Sequence, residues 1–242
     1  MPEPQTAENR KHERSAASRD EVDLTGLTDA EREYLEVIYY LGARGEPVIG
    51  ARMSEWLKVS APSVTNMLQR LAKKGLVARI EGGPIGLTET GFTLAEAVVR
   101  RHRLLECFLV DVMGMPWHVI HEEAMHLEHG MSTLLARHIE TLVGASETCP
   151  HGNPVPGNRE TYPGPVRLDQ APQGQSFRLR RIVEEAEEDT DLMRYLQAHG
   201  VTPGASFVVD SSSPKFGVTL RQDEHSVALS AEVASVLWGD VV

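Results

Sequence analysis

Ser60-Ala61-Pro62-Ser63-Val64-Thr65-Asn66-Met67-Leu68-Gln69-Arg70-Leu71-Ala72-Lys73-Lys74-Gly75 is the stretch whose reading decides the fold. Val64, Met67, Leu68 and Leu71 recur at three- and four-residue steps, which gathers apolar side chains on one helical face. Ser60 supplies an N-cap, Pro62 is tolerated in the first turn, and Lys73-Lys74-Gly75 ends the helix. Ser63, Thr65, Asn66, Gln69 and Arg70 are left on the outer face. Upstream, residues 50–58 read as a shorter helix around Ala51, Met53, Trp56 and Leu57. Downstream, Leu76–Ile80, a Gly82-Gly83-Pro84 turn and Ile85–Thr88 predict a β-hairpin. Before all of these, Thr28-Asp29-Ala30-Glu31 reads as a capping box. Tyr34, Val37, Ile38 and Leu41 then continue at helical spacing to a stop at Gly42, with Glu33 and Glu36 on the flank away from that stripe. Helix, helix-turn-helix and hairpin in this order make a winged helix.

Such a helix fits the DNA major groove, where small polar side chains near its N-terminus reach base edges. Ser63, Thr65 and Asn66 are the candidates for base reading, with Ser60 and Arg70 nearer the phosphates. Residues 50–103 carry nine Lys/Arg against four Glu, although the whole chain has a net charge of −11. Local charge rather than its sum matters for a phosphate-contacting face.

Two long helices, 89–113 and 117–143, are expected next, divided by Gly114-Met115-Pro116. Leu104, Leu105, Phe108, Leu109 and Val112 form an apolar face on one; Leu127, Met131, Leu134, Leu135 and Ile139 do so on the other. A two-fold partner is the simplest cover for so much apolar surface. The second helix carries His121, Met125, Glu128 and His129 within about a quarter-turn of one another. His102 and Glu106 stand at i,i+4 on the preceding helix. Imidazole, thioether and carboxylate are ligands of first-row divalent metals. The pair His121-Glu122 does not open a zinc-protease signature, because position 125 is Met and His126 lies about 140° away around the helix. A metal-dependent hydrolase is further disfavoured because no nucleophile is readable, and a metal-storage module would leave the winged helix without a task.

Beyond this, residues 147–172 are rich in Pro and Gly and read as a linker. Strands are expected at 176–183, 206–210, 217–221 and 226–229, with a helix through 192–196 and an acidic, ordinarily solvated run at 184–191 between the first two strands. The polar N-terminal segment lacks the apolar core of a signal peptide and reads as a disordered tail. Two distant cysteines fit a reducing cytoplasm, and no apolar run is long enough to span a membrane.

Val99-Arg100-Arg101-His102-Arg103-Leu104-Leu105-Glu106, His121-Glu122-Glu123-Ala124 with Leu127-Glu128-His129, Leu87-Thr88-Glu89-Thr90-Gly91 and the loop Pro150–Gly157 together resemble the diphtheria toxin repressor family of metal-activated transcriptional regulators. The resemblance covers about residues 28–242 and implies a homodimeric repressor that binds palindromic double-stranded operator DNA. It implies a mainly α fold with a C-terminal SH3-like β-barrel. The division is a tail (1–25), a winged helix-turn-helix domain (26–92), a helical dimerisation and metal-binding domain (93–146), a linker (147–172) and the SH3-like domain (173–242). Two metal sites per subunit are implied. By position the regulatory one falls on Glu33, Glu36, Met125, Glu128 and His129, and the ancillary one on His102, Glu106 and His121, with Glu188 and Asp191 from the β domain. The iron-sensing branch has a sulfur ligand where this chain has Glu33, and the manganese-sensing branch a carboxylate where it has Met125. The carboxylate-rich set favours Mn(II), with Fe(II) as the alternative.

Overall fold

The computed structural model describes residues 22–80, 83–128, 130–159 and 161–242. Within these limits the chain forms two compact units, the first running to Arg101 and adding Met131–Arg137, the second made of His102–Gly130 and His138–Val242.

The first unit begins with α1, Asp29–Ala43, where Thr28 and Glu31 close the capping box in both directions. Gly42 does not stop this helix; it stays in the last turn, and Gly45 takes the left-handed conformation at φ 68°. Two short-range backbone bonds, from Arg44 and Gly45, tighten that end. α2 (Gly50–Trp56) and α3 (Ala61–Lys73) follow as the helix-turn-helix, with Ser60 accepting from the Ser63 amide. β1 (Val77–Arg79) and β2 (Ile85–Leu87) pair antiparallel as the wing. Gly91, in the first turn of α4 (Glu89–Cys107), passes so close to the Leu76 carbonyl that a Cβ there would overlap it.

Leu35, Ile38, Leu41, Met53, Val64 and Leu71 are sealed in one core, each contributing roughly 1.5–3 kcal/mol by burial. Leu24 and Leu27 join them, so packing starts before Thr28 and the end of the expected tail belongs to the domain. Arg101 secures it by donating to the Val22 carbonyl and to Thr133 Oγ1. The remainder of the tail, residues 1–21, lies outside the described residues.

The expected single helix over 117–143 is two helices, α5 (Ile120–Glu128) and α6 (Thr133–Val143). Ser132 provides the break by capping α6: its Oγ accepts from the Leu135 amide and its carbonyl from Ala136. α4 ends in a π-helical turn over Phe108–Val112. Met131 and Ile139 are buried, whereas Leu127, Leu134, Leu135 and Leu142 are exposed.

The second unit contains a six-stranded antiparallel sheet in the order β3-β8-β4-β5-β6-β7. Its strands are β3 (Val166–Arg167), β4 (Ser176–Ile182), β5 (Ser206–Ser213), β6 (Gly217–Gln222), β7 (His225–Leu229) and β8 (Leu237–Val241). Among the described residues β3 and β7 do not pair, so the sheet is open rather than a closed barrel. The one-turn helix α7 (Glu184–Glu187), then α8 (Thr190–Ala198) and α9 (Ala231–Ser235), interleave with the strands.

One carboxylate links two helices of the first unit. Glu31 is fully buried, and its Oε1 lies 2.8 Å from both Arg70 Nε on α3 and Lys74 Nζ at the C-cap of that helix. Burial alone would raise its pKa, but the Lys74 and Thr28 hydrogen bonds and the Arg70 charge outweigh it and hold the group below its usual 4.5. A lowered folded-state pKa stabilises above the unfolded value and is lost as pH falls through the folded one. Glu31→Gln is therefore expected to destabilise the first unit by about 1–2 kcal/mol, between exposed and buried pairs because Arg70 and Lys74 are 51% and 37% exposed. Urea unfolding across the acid range checks both parts: the parent loses this increment below pH 4.5 and the variant does not.

Candidate metal centre

Six donors converge inside the second unit, built outward from α4. His102 and Glu106, one helical turn apart, are both buried there. His102 Nε2 and His121 Nδ1, from α5, lie 3.2 and 3.4 Å from Glu106 Oε1. A third imidazole reaches the same oxygen, His151 Nδ1 at 3.2 Å. Glu187 closes the group from α7, its Oε2 3.2 Å from His121 Nδ1 and 3.3 Å from His151 Nδ1. Cys149 offers a thiol, within 4.8 Å of the Glu106 and His151 donor atoms. His102 Nδ1 turns the other way, to Glu128 Oε2 at 3.0 Å.

The loop that delivers Cys149 and His151 is not an open linker. Cys149 and residues 151–156 are buried. The Cys149 amide donates to Asn153 and the Gly152 amide to Cys149, while the Ile182 amide donates to His151. Trp117 Nε1 donates to the Pro150 carbonyl and its ring meets the His151 ring edge-on, with centroids 4.9 Å apart. Gly152 has φ 89°, and a Cβ there would overlap the Arg180 carbonyl.

Imidazoles and carboxylates in the cluster shift one another's titration against the effect of burial. Burial disfavours charge on His102, yet the Glu106 and Glu128 carboxylates raise its pKa well above the histidine norm. His121 is raised against its burial by hydrogen bonds to Glu106 and Glu187, and His151 is raised well above the norm by the charges of Glu187 and Glu106. Conversely, burial opposes ionisation of Glu106 and Glu187, but the facing imidazoles lower both. Burial and the Glu106 charge hold the Cys149 thiol protonated, well above its usual pKa. Glu106 Oε2 is buried with no hydrogen-bond partner, and His102 Nε2 faces His121 Nδ1 at 3.1 Å, a contact in which only one nitrogen can carry a proton. Nitrogen, carboxylate and thiol donors with a spare carboxylate oxygen suit a first-row divalent ion.

Of the residues expected at the ancillary site, His102, Glu106 and His121 come together, and Glu188 and Asp191 do not join them. Glu188 is exposed, and Asp191, also exposed, pairs with Arg194. Helical phase explains the correction: α7 turns Glu184 and Glu187 inward and leaves the next carboxylate in solvent. Glu187, Cys149 and His151 were missed because acids in a run look alike and the Pro/Gly-rich loop has no period; the Cys-Pro-His triplet was the available signal. Of the regulatory set, Glu33 is half-buried and Glu36 buried on α1 in the first unit, Met125 half-buried and Glu128 buried on α5 in the second, and His129 lies outside the described residues. On α3, Ser60, Ser63, Thr65 and Asn66 are exposed, with Thr65 Oγ1 donating to the Ala61 carbonyl. Arg70 is tied to Glu31.

A helix-turn-helix with a polar outer face and a buried imidazole–carboxylate cluster in the same chain define a metal-dependent DNA-binding regulator. Comparison with known proteins agrees. Residues 26–80 match the N-terminal DNA-binding domain of iron-dependent repressors, residues 88–157 their metal-binding and dimerisation domain, and residues 166–240 the FeoA domain. The iron-dependent repressor IdeR of Mycobacterium tuberculosis is 37% identical over 87% of this chain and 96% of its own length. The diphtheria toxin repressor of Corynebacterium efficiens is 31% identical over 87% and 95%. The solved structure of a manganese-dependent transcriptional repressor in complex with manganese superposes with a TM-score of 0.75 at 31% identity, covering 88% of this chain and all of the other (100%). The chain belongs to the iron-dependent repressor family, a family of metal-dependent DNA-binding transcriptional repressors.

Protons and a cation compete for the same nitrogens, so loading the centre releases protons. Because the histidine values are raised, apparent affinity falls as pH drops through them. Calorimetric titration with Mn(II) in buffers of unlike ionisation enthalpy is expected to show proton release and weaker binding near pH 6 than near pH 8.

Proposed function

We propose that this protein is a homodimeric repressor of metal-homeostasis genes, activated by Mn(II) and binding palindromic operators through α3. The observation that carries the reading is the division of labour within one chain: exposed Ser63, Thr65 and Asn66 on a capped helix, and a buried donor cluster. In this reading Glu33, Glu36, Met125, Glu128 and His129 would be the ligands of a regulatory divalent ion, and His102, Glu106, His121 and Glu187 those of an ancillary one. A bound divalent cation supplies the positive charge that lets these carboxylates approach. Glu33 and Glu36 would then hold α1, which the Glu31 pairs connect to Arg70 on α3 and to Lys74 at its C-cap. Two recognition helices so fixed match half-sites one or more DNA turns apart. A coupling of about 1–3 kcal/mol, typical of such switches, gives about 5- to 150-fold in operator affinity, and DNA tightens the ion by the same factor. We further read the open sheet as an SH3-like module, and residues 26–92 and 93–146 as the reader and the dimerisation domain.

Iron is the second reading, favoured by the Met125 thioether and the Cys149 thiol, softer donors than Mn(II) prefers, and by the iron-dependent repressors at 37% identity. Gel shifts on DNA upstream of metal-transporter genes, with Mn(II), anaerobic Fe(II), Zn(II) or chelator, separate the two.

Glu128→Ala is expected to leave a folded dimer whose operator binding no longer responds to Mn(II); fluorescence anisotropy with and without the ion, beside size-exclusion chromatography, checks it. Asn66→Ala is expected to weaken operator binding by about 1–3 kcal/mol with little change on unrelated DNA, as for a lost base-edge contact. Competition binding at one fixed salt concentration measures that ratio.

A further inference from the structure

Glu187 sits on a helix of only four residues, too short to hold its own position. Side chains that are not donors to the cluster hold it instead. Asn153 Nδ2 donates to Glu187 Oε1 at 2.7 Å and to the Ile182 carbonyl at 2.7 Å, leaving Oε2 turned to His121 and His151. Glu184, three residues before Glu187, faces the same way and receives Arg103 Nη2 at 2.6 Å. Arg103 is among the largest fully buried side chains and follows His102 on α4. It also donates to the Pro154 carbonyl and to the Tyr162 hydroxyl. Only a planar guanidinium spreads fixed donors over three such acceptors. One residue thus ties α4, the loop at Pro154 just after Asn153, and α7 together beside the donor cluster.

We propose that Arg103, through Glu184, and Asn153, on the carboxylate itself, are positioning residues that set Glu187 against the histidines before any cation arrives. The proposal rests on the reading of that cluster as a metal site. It supplies what the bare cluster lacks. Glu187 is drawn to His121 and His151 but faces the like charge of Glu106, so where its carboxylate rests depends on how the one-turn helix that bears it is held. With the tether in place, the site is assembled from the sheet side in advance, and the cation meets a formed ligand set. Outer partners of metal ligands typically govern affinity by about 10- to 100-fold when replaced.

The test compares full-length Glu184→Gln, Asn153→Ala and, as control, Glu187→Gln. Mn(II) affinity is measured by competition with a chromophoric chelator, and amide hydrogen exchange at Ile182 and residues 149–154 in the metal-free protein. Glu184→Gln and Asn153→Ala are each expected to weaken the site by about 10-fold and to speed exchange at Ile182, whose amide donates to His151. Glu187→Gln is expected to weaken it at least as much. If Glu184→Gln does not fold, Asn153→Ala decides alone. Lower thermal stability with Mn(II) affinity within about twofold of the parent would overturn the positioning role while leaving the site intact. An unchanged affinity in Glu187→Gln would overturn the metal reading as well.

Discussion

Glu106 is wholly buried, and one of its oxygens faces three imidazoles brought from three places in the chain: its own helix, the helix after it, and a loop some 45 residues on. A carboxylate in that position is costly unless it is compensated, and the compensation dictates much of the second unit. His102 must be one turn away, α5 must present His121, and the Cys149–Asn153 loop must be folded hard enough to bring His151 within reach. The sheet contributes through Glu187. The facing imidazoles and carboxylates thus favour each other's charged forms in spite of burial.

The first unit is organised on a different principle. Its core is aliphatic and aromatic, with Tyr40 stacked on Trp56 at 6.1 Å and guanidinium groups of Arg44 and Arg52 over the same indole. Polar groups are satisfied locally, by the Thr28 capping box and the Ser60 cap. Longer-range ties come from Arg101, to Val22 and Thr133, and from Glu31, which links α1 to α3. The helix that bears Glu33 and Glu36 is thereby tied to α3 within the same unit.

Local chemistry was legible in the residues, and chemistry between distant segments was not. The capping box, α3 and the wing hairpin follow from spacing and turn residues alone, because their partners lie within a few positions. Gly42 misled because a glycine in a last turn looks like one just beyond it, and the left-handed conformation is taken by Gly45. The break at Ser132 was hidden by an apolar period that continues on both sides of it. β8 was missed because Leu237-Trp238-Gly239-Asp240-Val241 is short and its pairing with β4 is remote in sequence. His121, Met125 and Glu128 could be placed on one helical face from spacing alone, whereas telling the buried Glu187 from the exposed Glu188 needed the phase of a one-turn helix.

Gly152 bears on how such a protein can diversify. Its left-handed backbone presses against the Arg180 carbonyl, and it sits between His151 and Asn153, one side chain touching the cluster and the other Glu187. A side chain introduced there would overlap strand β4 and disturb His151 and Asn153 in one event. Met125, half-buried on a regular helix, carries no comparable backbone demand. A replacement at position 125 is therefore sterically easier than one at position 152.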